Sequence, residues 1–157
     1  MPCISGVYNP AVGPLTQLSI INPTPQMLSG ASNPLPISMS GSSQAPRFYT
    51  ALIDTGATLT CISPKVVHEV GLQPTGKSLM TGSTGSSPVN TYQFGVGFMI
   101  NPVQTPTGQV TGTLEIKIVD GMEFAVQGAA FDVLLGRDII CAGSFSLSFD
   151  GHMLLAW

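Results

Sequence analysis

The sequence predicts an all-β fold, a sandwich or barrel with one or two short helices, on three observations. Only 8% of the 157 residues are charged, too few to cover the solvent faces of long helices. Eighteen glycines and thirteen prolines break the chain into short pieces. Between them lie apolar runs, some alternating at period two, as half-buried strands do. A chain of this length buries a core of its own, alone or as a dimer.

Residues 1–34 read as a proline-rich leader and residues 35–157 as the domain proper. Eight of the thirteen prolines lie in the first 46 residues, so Leu15 to Ile21 and Leu35 to Met39 are expected as edge strands. Pro34 to Ser40 alternates, Gly41 to Pro46 turns, and Arg47 to Asp54 forms the second arm of a hairpin that delivers Asp54 to a strand end. Leu59 to Ile62 continues as a strand. A short helix follows, capped by Ser63, opened by Pro64 and stopped by Gly71. Lys77 to Pro88 reads as a loop or mobile hairpin tip rich in small hydroxylated residues and glycine. Strands are expected at Thr91 to Ile100, Gly112 to Val119 and Met122 to Gln127, the last two joined by a tight turn at Asp120-Gly121. Asn101 to Val110 reads as a loop insertion. Val133 to Gly136 is a strand leading into a helical turn at Arg137 to Gly143. Phe145 to Phe149 and His152 to Trp157 close the chain as a hairpin around Asp150-Gly151. The apolar last strand suits either a dimer interface or the closing of a core.

Composition narrows the function classes. A formal charge of -3 and five scattered basic residues, Arg47, Lys65, Lys77, Lys117 and Arg137, argue against nucleic-acid binding. No apolar run approaches a membrane span, and the amino terminus lacks a basic signal region, so a soluble protein is expected, cytoplasmic if this is the full chain. Cys3, Cys61 and Cys141 are far apart without metal-ligand spacing, and His68 and His152 are isolated. No metal, cofactor, disulfide framework or Ser-His or Cys-His nucleophile is expected.

The chemistry concentrates in Ala51-Leu52-Ile53-Asp54-Thr55-Gly56-Ala57, an acid at the end of an apolar run. Setting a carboxylate beside Leu52 and Ile53 is costly unless another group compensates, and no cation lies close by in sequence. A second carboxylate sharing one proton would compensate. None of the seven other acids, Glu69, Glu115, Asp120, Glu123, Asp132, Asp138 and Asp150, is followed by Thr-Gly or Ser-Gly. One chain thus carries half a site, and a two-fold dimer would bring two copies of Asp54 together.

Two motifs, Leu52-Ile53-Asp54-Thr55-Gly56-Ala57 and the downstream Val133-Leu134-Leu135-Gly136-Arg137-Asp138, make the chain resemble the retropepsin-like aspartic peptidases. The resemblance spans roughly residues 35 to 157 and is closer to the cellular, bacterial and retrotransposon members than to the compact viral enzymes. It implies a single-lobed closed β-barrel or sandwich, active as a two-fold homodimer. Asp54 would be the catalytic acid, Thr55 would hydrogen-bond across the dimer axis, and Gly56 would offer its carbonyl to substrate. Leu134, Leu135 and Gly136 would pack behind the Asp54 loop, with Arg137 and Asp138 in support. Thr81 to Gly85, including Gly82 and Ser83, would form the flap tip. Ala57, Leu59, Met80 and Val133 would line pockets for an extended polypeptide substrate, although Leu59, Met80 and Val133 equally suit the core. Viral members commonly carry an acid after the Ala, paired with the arginine of the second motif. Here that place is Thr58, so Arg137 needs another partner.

The implied activity is endopeptidase cleavage by a water activated between two Asp54 carboxylates, at acidic pH and beside apolar residues. Self-cleavage in the leader, at sites such as Met27-Leu28 or Leu35, is a further expectation. The alternative from another class is a dimerising or peptide-binding module on the same fold, without hydrolysis. A third reading is a structural β-domain carrying the motif by coincidence.

Overall fold

The computed structural model describes residues 2–29, 35–38, 46–82, 85–108, 110–124 and 128–157. Eleven strands and three short helices are assigned among them: β1 (Cys3–Val7), β2 (Leu15–Ile21), α1 (Pro25–Leu28), β3 (Leu35–Ser38), β4 (Phe48–Ile53), β5 (Cys61–Ile62), α2 (Pro64–Val70), β6 (Gly76–Gly82), β7 (Gly85–Gln104), β8 (Val110–Glu123), β9 (Val133–Leu135), α3 (Arg137–Ile140), β10 (Ser144–Leu147) and β11 (His152–Ala156). None of the described helices is long and apolar enough to cross a membrane.

The larger sheet runs β3-β8-β5-β9-β4-β2-β7-β6, and β7 also pairs with β8. Inside it β4 alternates cleanly, with Tyr49, Ala51 and Ile53 buried and the residues between them less so. Those three pack with Leu18, Ile20, Phe94, Val96, Phe98, Val133 and Leu135 in one apolar core. Burying such side chains contributes about 1.5–3 kcal/mol each, which favours this register over a one-residue slip. Helix α2 forms as its punctuation predicts: the Ser63 hydroxyl accepts from Val66 N–H, Pro64 opens the first turn and Gly71 ends it at φ 72°. The helix is tied to β4 by Glu69, which accepts from Tyr49 Oη at 3.2 Å and meets Arg47 at 3.5 Å. Burial, followed by Glu69, raises the Tyr49 phenol to about 12.

Several expectations are corrected. Leu15–Ile21 is not an edge strand: β2 pairs with β4 on one side and β7 on the other, and it buries Leu18, Ser19 and Ile20. β3 and β4 do not form a hairpin, because β3 pairs with β8 and β4 with β2 and β9. Met39 and the turn at 41–45 lie outside the described residues. The 101–110 insertion extends the β7–β8 pairing, which resumes at Val103 and Gln104 after a bulge and a left-handed Asn101 at φ 51°. The strand near Leu59 begins only at Cys61.

The Asp120-Gly121 turn is also absent, since β8 runs straight through it. Here the glycine serves a close crossing. A Cβ on Gly121 would lie 2.6 Å from Phe94 Cζ and closer still to the Thr60 carbonyl, which receives Met122 N–H. The proposed strand over 122–127 ends at Glu123 as the tail of β8, and residues 125–127 lie outside the described set.

The smaller sheet runs β1-β11-β10. The closing hairpin forms as expected, yet β11 occupies the middle, with Met153 and Leu155 buried. Its hydrogen-bonding edges are used within the chain, which favours the core-closing reading. Trp157 extends the attachment: its ring lies 4.6 Å from Phe98, and its Nε1–H donates to Glu115.

Gly121→Ala is expected to destabilise the protein by about 2 kcal/mol or more, because backbone must move to admit the methyl group. Chemical denaturation with an unchanged m-value and a lower midpoint would show this. An unchanged midpoint would refute the close-crossing account.

Candidate active site

Parallel pairing sets the site. β4 and β9 lie side by side, with Ala51 opposite Val133, Leu52 opposite Leu134 and Ile53 opposite Leu135. β5 then pairs with the other edge of β9. The chain from Asp54 to Thr60 must therefore straddle the carboxyl end of β9. Asp54 leaves the sheet at the top of β4, its N–H still donating to the Leu135 carbonyl at 3.0 Å.

The straddling loop is tied at several points. Asp54 Oδ1 accepts Gly56 N–H at 2.8 Å, and Ala57 N–H donates back to the Asp54 carbonyl at 3.2 Å. On the other wall, Arg137 N–H reaches the Ala57 carbonyl at 2.9 Å and Asp138 N–H the Thr58 carbonyl at 3.3 Å. The Asp138 carboxylate accepts Thr60 N–H at 2.9 Å, Thr60 Oγ1–H at 2.7 Å and Ile139 N–H at 3.0 Å. Gly136 N–H donates to the same Thr60 hydroxyl at 3.2 Å. Gly136 has no room for a side chain, since a Cβ would sit 2.8 Å from Thr60 N and closer to the Leu59 carbonyl.

The acids divide into two groups. Seven engage side-chain donors: Glu69 with Tyr49, Glu115 with Trp157, Asp120 with Gln93, Glu123 with Tyr92, Asp132 with Lys65, Asp138 with Thr60 and Asp150 with Ser148. Asp54 is the eighth. Its carboxylate has one hydrogen bond among the described residues, from the Gly56 amide of its own turn, and the residue is half-exposed. A carboxylate with open acceptor capacity at a strand end can take or hold a proton for a bound molecule.

The other expected site residues fall into three groups. Thr55, Gly56, Ala57 and Leu59 lie on the straddling loop, with Leu134, Leu135, Gly136, Arg137 and Asp138 packed behind or beside it. Met80, Thr81 and Gly82 belong to the β6–β7 hairpin, where Thr81 Oγ1 and Ser86 Oγ pair at 2.8 Å. Met80 is half-buried, whereas Leu79 and Thr81 on the alternate face are exposed. Ser83 lies outside the described residues. Val133 is corrected: at 0% exposure it belongs to the core and has no surface for a substrate.

A match to the aspartyl protease family model spans residues 36–139 and includes both motif walls. The chain belongs to the aspartyl protease family. Among solved structures it is similar to a retropepsin-like aspartic protease from Rickettsia conorii, at 14% identity, with 80% of this chain and 93% of that one covered and a TM-score of 0.37. No curated protein matches it.

Two contacts in this aspartyl protease domain escaped sequence reasoning. Thr60 and Asp138 are 78 residues apart, and no local pattern announces their pairing. A hydroxyl in the apolar run Leu59-Thr60-Cys61-Ile62 was the available signal, because a buried polar group needs a partner. The missing partner of Arg137 is Thr58 itself, whose Oγ1 accepts from Nη2 at 3.1 Å. Cys61 lies beneath the loop, and burial pushes its thiol up to about 11, with Asp138 and Asp54 adding to the rise.

Thr60→Val is expected to cost about 2 kcal/mol by leaving Asp138 short of a donor in a half-buried place. Thr58→Val, at an exposed position, is expected to cost less than about 0.5 kcal/mol. Equilibrium unfolding of both variants checks the contrast. In native protein at pH 8, an alkylating reagent counted by mass spectrometry should modify Cys3 and Cys141 and spare Cys61 until denaturant is added. Native labelling of all three would contradict the burial of Cys61.

Proposed function

We propose that this protein is an aspartic endopeptidase, active as a two-fold homodimer in which each chain contributes Asp54. The observation that carries the reading is the Asp54 carboxylate, the one acid of eight without a side-chain partner among the described residues, set at a strand end inside the family's motif. Peptide hydrolysis needs a base for the attacking water and an acid for the scissile carbonyl. One carboxylate cannot be both at the same moment. Two copies sharing a proton can, one taking a proton from water as the other donates to the carbonyl oxygen. The resulting diol collapses as the amide nitrogen is protonated and the C–N bond breaks.

Two-fold symmetry supplies the second copy, because a residue on the axis meets itself. In this arrangement Thr55 hydrogen-bonds across the axis and Gly56 offers its carbonyl to the substrate backbone. The β7–β8 pairing supports a barrel closed around the core behind the site. Among the described residues β1 and β10 are the outer strands of the small sheet, with exposed Val7, Leu147, Leu154 and Phe149 on or beside it as apolar surface for the partner. Substrate lies extended between the Asp54 loop and the β6–β7 hairpin, gaining main-chain hydrogen bonds as an added strand would. Ala57, Leu59 and Met80 favour apolar residues at the cleavage point.

Cleavage of a diverse peptide library should be lost by at least about a thousandfold in Asp54→Asn, which keeps the shape and removes the shared proton. The dyad works while holding one proton, so kcat/KM should peak at acidic pH. Above the second apparent pKa, about 4.7 in pepsin, it should fall about tenfold per pH unit. A rate flat from pH 4 to 8, or undiminished in Asp54→Asn, would sink the reading. Silence from folded, dimeric wild type would favour a peptide-binding module.

A further inference from the structure

Three of the five cations have an ion-pair or ring partner among the described residues. Arg47 meets Glu69 at 3.5 Å and Lys65 meets Asp132 at 3.0 Å. Lys117 sits 5.8 Å above the Trp157 ring. Lys77 lies on β6 in the exposed row with Leu79 and Thr81, opposite the half-buried Met80. Arg137 alone stands beside the Asp54 loop. Its side chain is exposed, its one side-chain hydrogen bond goes to the neutral Thr58, and among the described residues it makes no ion pair. Its sequence neighbour Asp138 does not neutralise it, because that carboxylate is turned inward onto Thr60 and Ile139.

The position of this charge is fixed on both sides. The backbone N–H of Arg137 is held by Ala57, and its guanidinium is held by the next residue, so the cation is anchored to the loop that carries Asp54. A planar guanidinium with one donor spent on Thr58 keeps further N–H groups free, enough to grip a carboxylate. The Asp54 pair carries negative charge and disfavours an acid at the scissile bond. Along an extended peptide, side chains on one face recur about every 6.6–6.8 Å, so an outer side chain escapes that repulsion while reaching a cation at the loop's flank.

We propose that Arg137 is a specificity-determining residue that favours substrates with an Asp or Glu side chain at an outer position, away from the scissile bond. The proposal rests on the aspartic endopeptidase reading for the placement of the peptide. The preference is modest, because an exposed pair is screened by water and salt.

The test uses the full chain and pairs of fluorogenic peptides that differ only by Glu against Gln at one position, scanned outward on both sides of the cleaved bond. At pH 5.5 and low salt, kcat/KM should favour Glu about threefold at one outer position. The ratio should fall toward one in 0.5 M salt, in Arg137→Gln and in Thr58→Asp, which supplies an internal carboxylate for the guanidinium. It should persist in Arg137→Lys and in Arg47→Gln. Binding of the same peptides to the Asp54→Asn protein gives a Kd ratio without catalysis, so the proposal remains testable if hydrolysis fails. No Glu preference at any outer position, or a preference that survives both Arg137→Gln and Thr58→Asp, overturns the proposal. Cleavage that survives Asp54→Asn overturns the endopeptidase reading instead.

Discussion

The clamp between Thr60 and Asp138 is the constraint on which the rest of the site depends. Two strands, β4 and β5, flank β9, and the chain joining them must cross its end. Such a crossing exposes backbone groups that the sheet no longer pairs, and each buried one left unpaired costs about 1–3 kcal/mol. Asp138 takes the amide and hydroxyl of Thr60, and the hydroxyl takes Gly136 N–H. Arg137 and Asp138 amides take the carbonyls of Ala57 and Thr58. The far end of the loop is thereby fixed from several directions, while at its near end the Asp54 amide is held by Leu135 and the Asp54 carboxylate by its own turn.

The same crossing explains a glycine far away. The Thr60 carbonyl points outward from the clamp and receives Met122 N–H, while Phe94 packs against the same spot. Any side chain at position 121 would wedge β8 away from Thr60 and loosen the clamp from behind. Gly136 admits the loop from the front in the same manner. Two glycines on opposite sides of Thr60 therefore serve one purpose, close approach of backbone, and neither is needed for a left-handed conformation.

Local pattern made some of this legible. The alternation of β4, the cap and stop of α2, the closing hairpin and the Asp54 motif each lie within a few consecutive residues, where propensity and turn chemistry act. Long-range pairing is different. Ser19 sits opposite Gly97 and Leu35 opposite Leu114, and no feature of residues 15–38 specifies those partners. The prolines around them suggested a peripheral leader, whereas β2 fills the gap between β4 and β7. Asp120-Gly121 misled for a related reason: the dipeptide fits a tight turn and also fits a strand that another backbone must touch. Val133 shows the limit for the site, because an apolar residue beside a motif reads equally as pocket or core until its exposure is known.

Charge placement links the clamp to the chemistry. In a chain with eight acids and five basic residues, an acid and a cation that lie close would ordinarily pair. Asp54 and Arg137 belong to two walls of one loop, yet no ion pair joins them. Thr58 and Ala57 hold the arginine by its guanidinium and its amide. In the proposed dyad the lack of an ion pair matters, because an adjacent guanidinium favours the charged form of a carboxylate and opposes the sharing of a proton with a second one. A neutral hydroxyl at position 58 thus has two effects at once. It ties Arg137 down as an acid would, and it leaves the positive charge without an ion pair among the described residues, which is the basis of the proposed preference for a substrate carboxylate.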